Sequence, residues 1–125
     1  WVLGDNVEAH LGHLKFCAFY FLAGVAGALL HAVFNLDSGT PLIGASGAIY
    51  GIAAAYVVMF TRNFVPIIIW FIFPNIQGLG FSDSVSGNIS YLAHAGGFVF
   101  GFVATVCYAL ITRTPLFFNR FKGYD

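Results

Sequence analysis

Four long stretches of this chain contain no Asp, Glu, Lys or Arg: 16–36, 38–61, 63–82 and 84–112. Each reaches the roughly 20 residues that a helix needs to cross a hydrocarbon core. In lipid a backbone must satisfy its own hydrogen bonds, so an apolar run of that length is read as a spanning helix. The pattern predicts four spans, at about 16–35, 44–60, 64–81 and 89–112. Turn formers separate them: Asn35 to Pro41 after the first, Thr61-Arg62-Asn63 after the second, and the polar stretch 82–88 before the fourth. Pro66, Pro74, Asn75, Gln77, Gly78 and Gly80 interrupt the third, which is expected to be kinked or partly unwound. Residues 1–15 are more polar and punctuated by glycine, and they read as an approach to the first span, with Trp1-Val2-Leu3 the end of an earlier helix.

Composition supports a membrane setting. Hydrophobic residues make up 59% of the chain and charged residues 8%, against about 25% charged in an ordinary soluble domain, and the mean hydropathy is +0.85. The expected fold is therefore all-α, a polytopic transmembrane helical bundle in contact with the lipid bilayer. A net charge of zero gives no reason to expect a nucleic-acid partner. With four spans, Lys15, Arg62, Arg113, Arg120 and Lys122 fall on one side, and the opposite loops hold Asp37 and Asp83. The bias of cationic residues towards cytoplasmic loops then places both ends of the segment in the cytoplasm, with loops near 36–43 and 82–89 on the outer face. The chain opens on Trp1 without a Met and shows no signal-peptide pattern, so a fragment of something longer is expected. Cys17 and Cys107 lie 90 positions apart, which matches no metal or redox spacing, and they are expected to be small packing residues.

Two polar side chains stand out against this background, Ser46 in Gly44-Ala45-Ser46-Gly47 and His94 in Ala93-His94-Ala95-Gly96-Gly97. An ionisable group at membrane depth must be compensated, and it marks a candidate functional site. Taken singly, each also has a structural explanation, as a helix-packing serine or a hydrogen-bonded buried histidine. The surrounding glycines favour bringing them together. Gly47 and Gly51 form a GxxxG on the second span, and Gly97 and Gly101 form another on the fourth. His94, Gly97 and Gly101 share one helix face, and Ser46 and Tyr50 share another. If those faces meet, Ser46 lies beside His94 and the Tyr50 ring packs on the imidazole. Ser46 near a helix N-terminus has backbone N–H groups and a positive dipole end suited to an oxyanion, and His94 can act as general base. No acid is expected at that depth, so a dyad is favoured over a triad. Ala48 two positions after Ser46 excludes the soluble G-x-S-x-G nucleophile elbow.

The segments GDNVEAHLGHLKF, GASGAIYG and AHAGGFVFG, with His94 48 positions after Ser46, resemble the rhomboid family of intramembrane serine proteases across essentially the whole chain. The resemblance is weakest through 63–88. It implies a six-helix core, of which about four helices are present in 1–125, and cleavage of transmembrane protein substrates by a Ser–His dyad without a cofactor or metal. It further implies Ser46 as nucleophile, His94 as base, Tyr50 as the aromatic stacked on the histidine, and Gly44 as part of the substrate and oxyanion region. The family's His-x-x-x-Asn motif precedes the GDNVE-like loop. His31 and Asn35 have the same spacing but follow that loop, so they are taken as a helix-end histidine and a turn-forming asparagine, the family counterpart being expected upstream of Trp1. His10 and His13 are expected to be solvated or tied to Glu8, and Trp1 and Trp70 to serve at interfaces or in packing. Two other functions stay open: a catalytically silent rhomboid-like protein that binds or escorts membrane clients, and a channel or transporter. The second predicts internal repeats or several intramembrane charges, which this sequence does not display.

Overall fold

The computed structural model describes residues 2–36, 45–60, 64–73 and 91–114, all-helical with short connections among those residues. Helix α1 is Val2–Leu11, α2 is His13–Phe34, α3 is Ser46–Met59 and α4 is Phe64–Ile67, which runs directly into a π-helical stretch, Ile68–Ile72; α5 is Tyr91–Thr112. Gly44, the loops bearing Asp37 and Asp83, Arg62, residues 74–81 of the expected third span, and Arg120 and Lys122 lie outside the described residues.

At the N-terminal end the fold differs from the sequence expectation. Residues 2–11 form a helix instead of a polar approach segment. Leu3, Val7 and Leu11 recur at the i, i+4, i+8 spacing of one helix face, and Val7 and Leu11 are buried against Ile52, Ala55, Tyr56 and Met59 of α3. Polar Asp5 and Glu8 in the same segment hide this stripe from a reading based on charge alone. Gly12 separates α1 from α2 at φ 83 and ψ 155, a positive-φ conformation essentially confined to glycine that costs an L side chain about 1–3 kcal/mol.

α3 occupies the middle of the bundle. It is apolar all round, as a core helix should be, and ten of its fourteen residues are buried. α2 and α5 flank it and bury mainly small residues, Ala23 and Gly27 on α2 and Ala93, Gly96, Gly97 and Gly101 on α5. Their large side chains face outward: Phe21 is 71% exposed and Ile111 82%. Such a surface is a liability in water and the expected one in lipid, where helices associate through close backbone packing of small residues. Both flanking helices, at 22 residues each, are long and apolar enough to cross a membrane. α3 has 14 residues, roughly 21 Å of helix, and therefore starts and ends within the thickness that α2 and α5 traverse.

The glycine contacts fix the directions. Gly47 and Gly51 of α3 face Gly97 and Gly101 of α5 in the same order, so those helices are parallel, whereas Gly24 and Gly27 of α2 face Ala48 and Gly47, so α2 is antiparallel to both. One end of the bundle therefore carries Lys15, whose Nζ lies 5.3 Å from the centre of the Tyr108 ring, and Arg113 just beyond it. The opposite end carries Asn35, Ser46 and Tyr91. Cys17 is half-buried and Cys107 is exposed, so among the described residues Cys107 does not pack as its size and polarity led one to expect.

Candidate active site

Three backbones meet where a side chain could not fit between them. An ideal Cβ at Gly97 would lie 2.6 Å from the carbonyl carbon of Gly47, one at Gly101 2.7 Å from the Cα of Gly51, and one at Gly27 3.3 Å from the carbonyl carbon of Ala93. Contacts under 3.0 Å are essentially never made by a real Cβ. Glycine at 97 and 101 is therefore required for α3 and α5 to pack at this distance, and their approach puts the first turns of the two helices side by side.

Ser46 is the first residue of α3 and is half-buried. The first backbone bond entering this helix runs from the Ile49 N–H to the Ala45 carbonyl, at 3.1 Å. The N–H groups of Ser46, Gly47 and Ala48 consequently have no acceptor within the helix. His94 lies in the first turn of α5 and is buried, 9% exposed. The positive end of the α3 dipole lies at Ser46. Ser46 and His94 are the chain neighbours of a packed pair, since a Cβ at Gly47 would lie 3.0 Å from the Ala93 carbonyl oxygen.

Tyr50 is one turn after Ser46 on the same face of α3, and its ring stacks on His94 at 4.1 Å between centroids and 11° between planes. A near-parallel stack holds the imidazole plane and leaves the ring nitrogens to point sideways within it. Two further aromatics complete the cluster. Phe71 stands edge-on to Tyr50 at 5.2 Å, and Tyr91 edge-on to His94 at 6.1 Å, both within the range of favourable ring pairs. Neither was singled out in the sequence. Tyr91 could have been found as the residue three before His94, one turn away on the same helix. Phe71 could not, because it sits in the π-helical stretch, whose wider turn shifts the phase of the side chains.

The depth of this cluster follows from the packing. Gly27 is level with Gly47 and precedes the last residue of α2 by seven positions, which puts Ser46 about 10 Å below that end of α2 at 1.5 Å per residue.

His31 and Asn35 lie at the same end of the bundle, but their geometry is that of a helix terminus. Asn35 is the C-cap of α2, with its backbone N–H bonded to the Ala32 carbonyl, and its Nδ2 donates to the His31 carbonyl at 2.9 Å. That bond satisfies a carbonyl left over at the helix end. At the other end, His13 Nδ1 meets a Glu8 carboxylate oxygen across the Gly12 break. No group of three or more His, Cys, Asp or Glu among the described residues is arranged to hold a metal ion.

A Rhomboid domain model matches residues 1–111. Over 117 residues the chain is 38% identical to Rhomboid protease GluP of Bacillus subtilis, covering 88% of this chain and 22% of that protein. It is 28% identical over 117 residues to the mitochondrial Rhomboid protein 1 of Saccharomyces cerevisiae, covering 81% of this chain and 33% of that protein. It is 26% identical over 111 residues to RHOMBOID-like protein 1 of Arabidopsis thaliana, covering 81% of this chain and 26% of that protein. The chain thus spans about a fifth to a third of the length of these relatives. No solved structure matches it.

Proposed function

The chain belongs to the rhomboid family of integral membrane proteins, and from that premise we propose that it is the core of an intramembrane serine endopeptidase, with Ser46 as nucleophile and His94 as general base. Ser46 Oγ attacks the scissile carbonyl of a transmembrane protein substrate, and His94 takes the hydroxyl proton and returns it to the leaving amine. The oxyanion that forms accepts hydrogen bonds from backbone N–H groups in the first turn of α3, and the dipole of α3 favours its charge. Tyr50 is a positioning residue that keeps the imidazole plane aligned with Ser46. Gly44 belongs to the substrate and oxyanion region by family resemblance.

The observation that carries this proposal is the stacked Tyr50–His94 pair one turn from Ser46. A histidine serving only to pack helices has no need of a fixed ring plane beside a helix N-terminus. Depth lends further support, since Ser46 lies about 10 Å below the end of α2, as cleavage within a bilayer would require. The alternative of a catalytically silent client-binding protein does not account for both polar residues being retained on facing turns.

The test is cleavage of a membrane-embedded substrate by the full-length protein in liposomes. Ser46→Ala and His94→Ala should each lower turnover by about three orders of magnitude or more with the fold intact, and the double variant should be no worse than either. Cleavage that persists in Ser46→Ala would move the nucleophile elsewhere.

A further inference from the structure

Among the described residues, two of the grooves on the sides of the bundle differ in charge. The larger, about 460 Å³, runs between α1, α2, α3 and the π-helical stretch past Phe16, Ile49 and Phe71, and has Asp5 and Glu8 in its wall. The smaller, about 250 Å³, lies between α2 and α5 near the Lys15 end; its wall includes Leu11, Phe19, Leu22, Phe100 and Tyr108, contains no carboxylate, and has Lys15 at its mouth. We propose that this second groove is a binding site for an anionic phospholipid, its acyl chain lying along Leu22, Phe19 and Phe100 and its phosphate held by Lys15.

Leu22, on the outer side of the groove, is 54% exposed. Its floor is aromatic and shaped, with the Phe19 and Phe100 rings 6.0 Å apart and inclined at 45°. Thr105 donates its hydroxyl to the Gly101 carbonyl at 2.7 Å, so the lining between Lys15 and Phe100 presents mainly apolar surface to a chain. A flexible lysine at a membrane interface ordinarily extends towards water. Lys15 instead lies over the Tyr108 ring, an attraction that holds the ammonium above the groove mouth.

Helix dipoles do not decide the charge here. The N-terminus of α2 and the C-terminus of α5 lie side by side, so their opposite partial charges offset, and among the described residues the cations at this end are Lys15 and, five residues beyond Tyr108, Arg113. One cation at an anionic lipid surface contributes about 1 kcal/mol, or about fivefold in affinity. Basic pockets between membrane helices are a recurrent form of headgroup site. The acid-walled groove on the other side of α2 serves as an internal contrast, since a phosphate there would meet Asp5 and Glu8.

Native mass spectrometry of the full-length protein, titrated with phosphatidylglycerol and with phosphatidylcholine of identical chains, tests the proposal. Phosphatidylglycerol should bind at least about fivefold more tightly. Lys15→Gln should remove most of that preference, Lys15→Arg should keep it, and Glu8→Gln should leave it unchanged. Ala104→Phe, which fills the groove, should weaken retention of both lipids. Equal binding of the two lipids by the unaltered protein, or a preference that survives Lys15→Gln, would overturn the site. So would displacement by glycerol phosphate as efficient as by the whole lipid, which would make it an ion site with no role for the groove.

Discussion

The ring contacts described for His94 are a stack on Tyr50 and a T-shaped pair with Tyr91, and the stack holds the imidazole plane for proton transfer. A ring pair of this kind is worth about 0.5–1.5 kcal/mol beyond the area it buries. If Tyr50 acts by holding the imidazole plane, Tyr50→Phe should keep kcat/KM within about threefold, and Tyr50→Ala should lower it about tenfold. Steady-state kinetics of the two variants in liposomes distinguishes this from a role for the phenol hydroxyl, which would make Phe as damaging as Ala. His31→Ala is expected to leave most activity, and Asn35→Ala to cost about 0.5–1 kcal/mol of stability through loss of the hydrogen bond to the His31 carbonyl. Near-complete loss of cleavage in a folded His31 variant would instead place His31 in the catalytic machinery.

At the scale of helices, the separation of α3 from α5 is the quantity on which the site depends, and glycine sets it. Gly97→Ala would force a Cβ against the Gly47 backbone, and overpacking of that kind costs about 1–3 kcal/mol. Gly24→Ala is the matched control, because a Cβ there would rest 3.5 Å from the Ala48 Cβ, an ordinary contact. Denaturation of the two variants should show a clear loss for Gly97→Ala and no loss for Gly24→Ala, and activity should follow stability only in the first. These faces were legible in the sequence because GxxxG spacing and the i, i+3, i+4 rule are local properties of a helix. For the same reason the stacking of Tyr50 on His94 was legible from their places on the two helix faces. What the sequence concealed was non-local or masked by composition. α1 was hidden because its apolar stripe is interleaved with Asp5, Asn6 and Glu8, and Phe71 because a π-helical stretch breaks the 3.6-residue phase from which faces are read. Cys107 looked like a packing residue since outward and inward positions are equally apolar in a lipid-facing helix.

For the molecule as a whole, the chain spans about a fifth to a third of its relatives, and α3 stands at the centre of the described helices. The 125 residues alone are expected to turn over a transmembrane substrate far more slowly than the full-length protein, with oxyanion stabilisation resting on the first turn of α3. Equal rates in liposomes would mean that His31, Asn35 or the backbone alone suffices. The orientation expected from Lys15 and Arg113 places their end of the bundle in the cytoplasm, so Cys107, about one and a half turns before Arg113, should lie near that interface. The central claim is that Ser46 is a nucleophile activated by His94, and covalent capture tests it most directly. Full-length protein in detergent is treated with a fluorophosphonate probe, and the adduct is located by peptide mass spectrometry. The account predicts modification at Ser46, abolished in Ser46→Ala and strongly slowed in His94→Ala; labelling of a different residue, or of Ser46 at an undiminished rate without His94, would contradict it.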